Sequence, residues 1–153
     1  MKNELKLSRV LHGGVACLWL LILILAGITL GSTLADAKPF AYVTNGSDVV
    51  VIDTATNTVV ERIPLGLSGG ELALGLAVSP DGTLVYVAIT GGNYMPPRLS
   101  VIDTATNTVV TNVTIPCGNG YKVAITPDGT RVYVTGAYLG GIVCVIDTAT
   151  NTL

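Results

Sequence analysis

The sequence predicts an all-β fold of short antiparallel strands grouped in fours and repeated along the chain. Three observations predict it. The octapeptide Val-Ile-Asp-Thr-Ala-Thr-Asn-Thr occurs three times unchanged, starting at Val51, Val101 and Val145. Around it, runs rich in Val, Ile, Tyr and Thr alternate with clusters of Gly, Pro, Asn and Asp, the pattern of strands and turns. Finally, Ser79-Pro-Asp-Gly82 and Thr126-Pro-Asp-Gly129 precede two of those runs. In both, proline presets the second turn position and glycine accepts the left-handed geometry that returns the chain. Repeats of about 40–50 residues built from short strands mark β-propeller blades, whereas β-helix coils are shorter.

The first 37 residues stand apart. Lys2, Lys6 and Arg9, offset only by Glu4, precede an apolar run from about Val15 to Leu30, and Ala35-Asp36-Ala37 follows. A positive start, an apolar stretch and an A-x-A site are the parts of a secretory signal peptide. Residues 1–37 are read as that signal, with cleavage after Ala37 and Lys38 as the mature N-terminus. The rival is an uncleaved anchor, since the run sits near the lower limit of roughly 17–25 residues for a spanning helix. Ala-Asp-Ala favours cleavage. Cys17 lies at the start of the apolar run, not after it, which argues against a lipoprotein. On either reading the remainder leaves the cytoplasm, to be secreted, held at the cell surface or kept in the periplasm. The membrane is touched only through the N-terminal segment, if that is uncleaved.

Residues 38–153 read as three units. The first, 39–65, holds strands at Phe40–Asn45, Val49–Asp53 and Val59–Pro64. The second, 72–116, is complete, with strands at Gly75–Ser79, Leu84–Ile89, Leu99–Asp103 and Val109–Ile115. The third, 121–153, has strands at Lys122–Thr126, Arg131–Thr135 and Ile142–Asp147 and stops where a fourth would start. With strands labelled a to d, the order is b-c-d, a-b-c-d, a-b-c.

Tyr42-Val-Thr-Asn45 followed by the Val51–Thr58 octapeptide resembles the YVTN family of β-propeller repeats. Tyr86-Val87 behind Ser79–Gly82, and Tyr133-Val-Thr135 behind Thr126–Gly129, are similar to the same repeat. The resemblance covers Phe40 to Leu153. It implies a ring of about seven blades, export as in cell-surface and surface-layer proteins, and a binding or scaffolding role. It points weakly to activity, because propellers host many functions. The chain departs from the family in blade number: a closed ring needs at least four, and about two and a half are present. Partners are therefore expected to be other propeller segments or copies of itself, and a surface protein or a glycan as ligand. A piece of an exported propeller enzyme or electron-transfer protein is the alternative, and a truncated product without independent function is another.

Composition narrows the function classes. The formal charge is −2 and only 12% of residues are charged, so no basic excess supports nucleic-acid binding. The single histidine, His12, lies in the signal segment, so residues 38–153 carry no Ser-His-Asp or Cys-His pair and no histidine metal ligand. No catalytic residue, cofactor or metal is expected. Glu61, Glu71 and the aspartates have acid–base chemistry, but nothing in one dimension brings two together. Asp53, Asp103 and Asp147 recur in register. They read as acceptors for the N–H groups of the following turn, with Asn57, Asn107 and Asn151 at its left-handed position. The D-x-D-x-D-G pattern of a calcium loop is missing. Tyr42, Tyr86 and Tyr133 read as packing between blades.

Cys117 and Cys144 are the two cysteines outside the signal segment. An exported protein can pair them; the other reading is a buried small hydrophobe and a loop thiol.

The loops divide by end of the blade. The a–b and c–d turns are nearly identical in every unit, while the b–c loops and d–a connections differ. In an up-and-down blade these two sets emerge at opposite ends. Binding sits on variable loops carried by a rigid scaffold, which makes Tyr94, Met95, Arg98, Tyr121 and Tyr138 the candidate contacts of a binding rim. The plain alternative is a set of unconstrained loops.

Overall fold

Ten strands order the described residues into three antiparallel sheets. The first holds β1 (Phe40–Thr44), β2 (Asp48–Asp53) and β3 (Thr58–Pro64). β4 (Ala73–Val78), β5 (Leu84–Ile89), β6 (Arg98–Asp103) and β7 (Thr108–Thr114) form the second. The third holds β8 (Gly120–Ile125), β9 (Arg131–Gly136) and β10 (Ile142–Asp147). Strands pair in chain order within each sheet. This is a computed structural model, and it describes residues 40–93, 95–136 and 141–153. The chain divides into the units Met1–Asp36 and Ala37–Leu153, and all described residues belong to the second. The segment 1–37 read as a signal lies outside the described residues.

Local chemistry sets the turns. Gly82 and Gly129 both take φ 73°, and their N–H groups donate to the carbonyls of Ser79 and Thr126 at 2.8 Å. A β-carbon there would meet the Cβ penalty of the left-handed region. In the repeated octapeptide, one carboxylate oxygen organises the hairpin. Asp53 Oδ1 accepts from the N–H groups of Ala55 and Thr56 at 2.7 and 3.2 Å. Asp103 does the same for Ala105 and Thr106, and Asp147 for Ala149 and Thr150. Asn57, Asn107 and Asn151 follow at φ 55°, 53° and 53°. The register then slips by one residue after Val51 and again after Val101, a bulge that leaves Val60 and Val110 without a cross-strand partner.

Each sheet has a face that carries its register tyrosine. Tyr42 lies opposite Val51, Tyr86 opposite Val101 and Tyr133 opposite Val145. Cross-strand partners share a face and neighbours along a strand alternate. On the first sheet, the tyrosine face carries Tyr42, Val49, Val51 and Ile63. It packs against Val85, Val87, Ile89 and Ile102 on the back of the second. Tyr86, Ala88, Leu99 and Val101, on the tyrosine face of the second sheet, pack against Val132, Val134, Cys144 and Ile146 on the back of the third. The second sheet is therefore buried on both sides, and Val85–Ile89 of β5 is buried at every residue. Each such aliphatic side chain contributes about 1.5–3 kcal/mol by leaving water.

The third sheet's tyrosine face is open. Tyr133 is 38% exposed, so the expectation that all three tyrosines pack between sheets is corrected. No described strand lies over Tyr133, whereas Tyr86 is fully buried and Tyr42 sits in the first junction.

β4 runs beside β8 at the second junction. Gly75 permits this approach, because a Cβ there would lie 2.5 Å from the Tyr121 carbonyl oxygen. A disulfide joins Cys117, after β7, to Cys144 in β10, with Cα atoms 5.9 Å apart. Both cysteines are buried in the second junction.

Two predictions follow from these cross-links and turns. Reducing the disulfide frees a closed loop of 27 residues' separation, and the chain-entropy model puts the loss at about 3–4 kcal/mol. Urea unfolding with and without reductant measures it; an unchanged midpoint would mean that the bridge leaves the second junction no firmer. Acid acts through the turn aspartates. Hydroxyl and backbone donors hold Asp81, Asp103 and Asp147 below the ordinary 3.8. The Thr126 hydroxyl, with the Thr130 N–H and hydroxyl, brings Asp128 to about 2. A depressed carboxyl binds its proton less readily when folded, so its contribution is complete above pH 3.8 and disappears as pH falls through about 2. Thermal stability should be level from neutral pH to about 4 and decline below it as these carboxylates take up protons, read by circular dichroism.

Candidate functional site

The turns gather at two ends of the sheets, and each end is held by a different kind of bond. At the uniform end, the Thr104 N–H donates to the Thr83 carbonyl at 3.0 Å and the Thr148 N–H to that of Thr130 at 3.1 Å. Their hydroxyls donate to Gly82 and Gly129, both at 2.7 Å. These bonds stay inside one sheet. Two bonds cross: the Tyr42 hydroxyl donates to Asn107 Oδ1 at 3.3 Å, and Asn107 Nδ2 donates to Glu61 at 2.6 Å. Asn107 thus ties the second sheet's hairpin to the first sheet.

At the other end lie the individual loops, and they bond to one another. The Ala73 N–H donates to the Gly46 carbonyl, Asn93 to Gly69 and Thr90 to Leu72, all at 2.9 Å. Ile115 donates to Pro97 at 3.0 Å, and the Gly91 N–H donates to Asn119 Oδ1 at 2.8 Å. The first two b–c loops and the two d–a connections therefore form one rim, anchored by hydrogen bonds between distant segments.

Two grooves cut this rim. One, of about 480 Å³, is lined by Gly91, Met95, Pro97, Ile115, Pro116 and Asn119 among others. The second, of about 440 Å³, is lined by Leu65, Gly66, Met95, Pro96, Arg98 and Thr114 together with Asn112. Met95 and Pro96 stand on the ridge between them and line both. Met95 is 47% exposed, a flexible apolar side chain of the kind that adapts to irregular surfaces.

The five residues singled out in the sequence fare differently. Met95 is on the groove ridge. Arg98 lines the second groove, but its guanidinium is committed to a partner. It forms an ion pair with Glu71, and a second nitrogen reaches the Leu65 carbonyl at 3.5 Å. Glu71, buried, also accepts from the Ser68 N–H at 2.9 Å. Burial pushes the Arg98 guanidinium below its ordinary range, and it stays charged at any accessible pH. Its role in the structure is to clamp the 65–72 connection to β6. Tyr121 is exposed on β8 and lines neither groove. Tyr94 and Tyr138 lie outside the described residues.

Sequence reasoning passed over Pro96, Pro97, Pro116 and Asn119. A signal was present: three of the seven prolines stand in these two loops. Glu71 was seen only as a generic acid. Its place as a buried counter-ion needs the long-range meeting with Arg98.

The chemistry offered is contact chemistry. The grooves present Met, Pro, Ile and Leu surface edged by backbone and amide groups, and their one ionisable side chain is Arg98. Among the described residues, no three His, Cys, Asp or Glu side chains stand together as metal ligands.

No protein-family model and no curated protein matches the chain. Among solved structures, 241 chains match. One is a chain of Kuenenia stuttgartiensis hydrazine synthase, at TM-score 0.64 and 28% identity, over 74% of this chain and 32% of that one. This chain thus spans about a third of the length of the structure it resembles.

The Glu71–Arg98 pair makes a prediction. Arg98→Ala leaves a buried carboxylate unpaired, which costs about 3–5 kcal/mol, whereas the pair Glu71→Gln, Arg98→Met should cost much less. Urea midpoints of both variants measure this. Equal stability of Arg98→Ala and the native chain would remove the clamp.

Proposed function

We propose that residues 38–153 are blades of an exported β-propeller of the YVTN kind, acting as a non-catalytic binding or scaffolding module at the cell surface or in the periplasm. The units 39–65, 72–116 and 121–153 are a partial, a complete and a partial blade. One observation carries the reading. The same stacking, tyrosine face on the back of the next sheet, occurs twice in chain order. Chance packing of three sheets would not reuse equivalent residues. The exact octapeptide repeats and the likeness to solved structures add support.

The binding surface is the rim of individual loops, with Met95 as its anchor and the two grooves beside it. An apolar, proline-lined groove edged by amide side chains suits an extended segment of a surface protein better than a glycan. Arg98 supports the rim from below and does not meet the ligand directly. No cofactor enters this reading. Residues 1–37 supply export and are removed after Ala37.

A second reading has a specific observation in its favour. The likeness to a hydrazine synthase chain suggests a part in an exported enzyme or electron-transfer assembly, whose reacting groups lie on other blades or subunits. The two readings separate on gentle extraction: co-migration with a redox-active partner favours the second.

Export is tested directly. Mass spectrometry of the exported protein is expected to find Lys38 at its N-terminus. A protein that keeps Met1 and stays inside the cell would sink the exported reading.

A further inference from the structure

The two outer sheets carry opposite halves of a junction that the molecule already makes twice. The third sheet's tyrosine face is open among the described residues. There Tyr133 takes the register position of Tyr86, Val145 that of Val101 and Val143 that of Leu99. Val143 is 54% exposed. Among the described residues, no sheet lies over the first sheet's back face, the complementary half. Its cross-strand pair Ala41–Ile52 is the counterpart of Val85–Ile102 and Val132–Ile146, the pairs that fill the two internal junctions. Beside it Val43 is 45% exposed, while Val50 on the same face is buried.

We propose that these two faces dock on each other between molecules. The tyrosine face of the third sheet receives the back face of the first sheet of a second copy, head to tail. The contact continues an established interface, because equivalent register positions, apolar in the pairs named above, already pack this way inside the chain.

A departure within the repeat selects the occupant. At the internal junction, Gly75 is needed because β8 of the next sheet brings the Tyr121 oxygen to 2.5 Å of any Cβ and the Lys122 Cα to 2.9 Å. On the third sheet Lys122 stands at Gly75's place, judged by the pairing of Lys122 with Thr135 beside that of Leu76 with Val87. A complete four-stranded sheet would drive its innermost strand into the lysine. Among the described residues the first sheet has no strand inside β1, so no described backbone meets the lysine in the proposed contact. The third sheet's face thus suits the first sheet and disfavours a complete blade.

The hairpin asparagine offers a second match. Asn107 meets the Tyr42 hydroxyl across the first internal junction. Asn57 has nearly the same backbone geometry, φ 55° against 53°, and is exposed. In the proposed contact it accepts the Tyr133 hydroxyl of the neighbouring copy.

Such an interface is heterologous: each copy offers one face of each kind, and association either closes a ring or runs on as a filament. This specifies the partner within the scaffold reading above and does not need export or a particular blade number.

The test uses the full chain in detergent, with mass from analytical ultracentrifugation. Val143→Glu spoils only the third sheet's face and Val43→Glu only the first sheet's, both at exposed positions that leave the fold intact by circular dichroism. The native chain should sediment as dimer or larger. Each single variant should be monomeric, because every copy lacks the same half. An equimolar mixture of the two single variants should restore a one-to-one dimer, since one good face of each kind remains, and the double variant should stay monomeric. A native chain that is monomeric throughout its soluble range overturns the proposal, and so does a single or double variant that still associates, or a mixture that does not dimerise. A folded native monomer would remove the second copy as partner while leaving the exported-module reading standing.

Discussion

A sheet that is apolar on both faces must have a neighbour on each side, and β5 imposes that condition on the molecule. Leu84 to Ile89 offers Tyr86 and Ala88 to one side and Val85, Val87 and Ile89 to the other, and Val85–Ile89 is buried throughout. Water cannot serve either face without a cost of about 1.5–3 kcal/mol per side chain. The first and third sheets are placed by this need. Gly75, the Cys117–Cys144 bridge and the Asn107–Tyr42 bond are the local adjustments that let the sheets come together.

The two ends of the sheets answer to different physics. At one end the octapeptide turns are closed by a local acceptor, an aspartate that takes two N–H groups of its own turn. Such a turn needs only its own few residues, so it can be reused unchanged. At the other end the loops close on each other through bonds such as Gly91 to Asn119 and Asn93 to Gly69. Each of those depends on its partner loop, and no two need be alike. A scaffold that repeats at one end and varies at the other has room for recognition at the second without strain at the first.

Arg98 illustrates how charge is used on that rim. An exposed arginine would be an obvious ligand contact, but here it neutralises a buried glutamate and holds a connection to a strand. Truncating one member of such a pair is costly because the other is left charged in low dielectric. What remains for a ligand is the apolar ridge of Met95 and Pro96 and the grooves on either side. The surface therefore favours shape and apolar contact over ion pairing.

The strands, the turns and their grouping into units were legible in the sequence because they rest on local causes. The exact repeat of an octapeptide, proline and glycine at turn positions, and aspartate ahead of Thr-Ala-Thr-Asn all act within a few residues. Bounds differed by one or two positions, as where β8 begins at Gly120 and not at Lys122; pairing with the neighbouring strand extends an element beyond its own propensity. Tyr133 shows the limit of this reasoning. Its register matches Tyr42 and Tyr86, yet its face is open, because burial depends on whether another sheet lies there and no residue of its own strand can say so. The same is true of Glu71 finding Arg98 and of Cys117 finding Cys144: partners 27 residues apart are brought together by how sheets stack. Local bonding made the sheets readable in one dimension, and long-range packing decided which of their faces and loops meet.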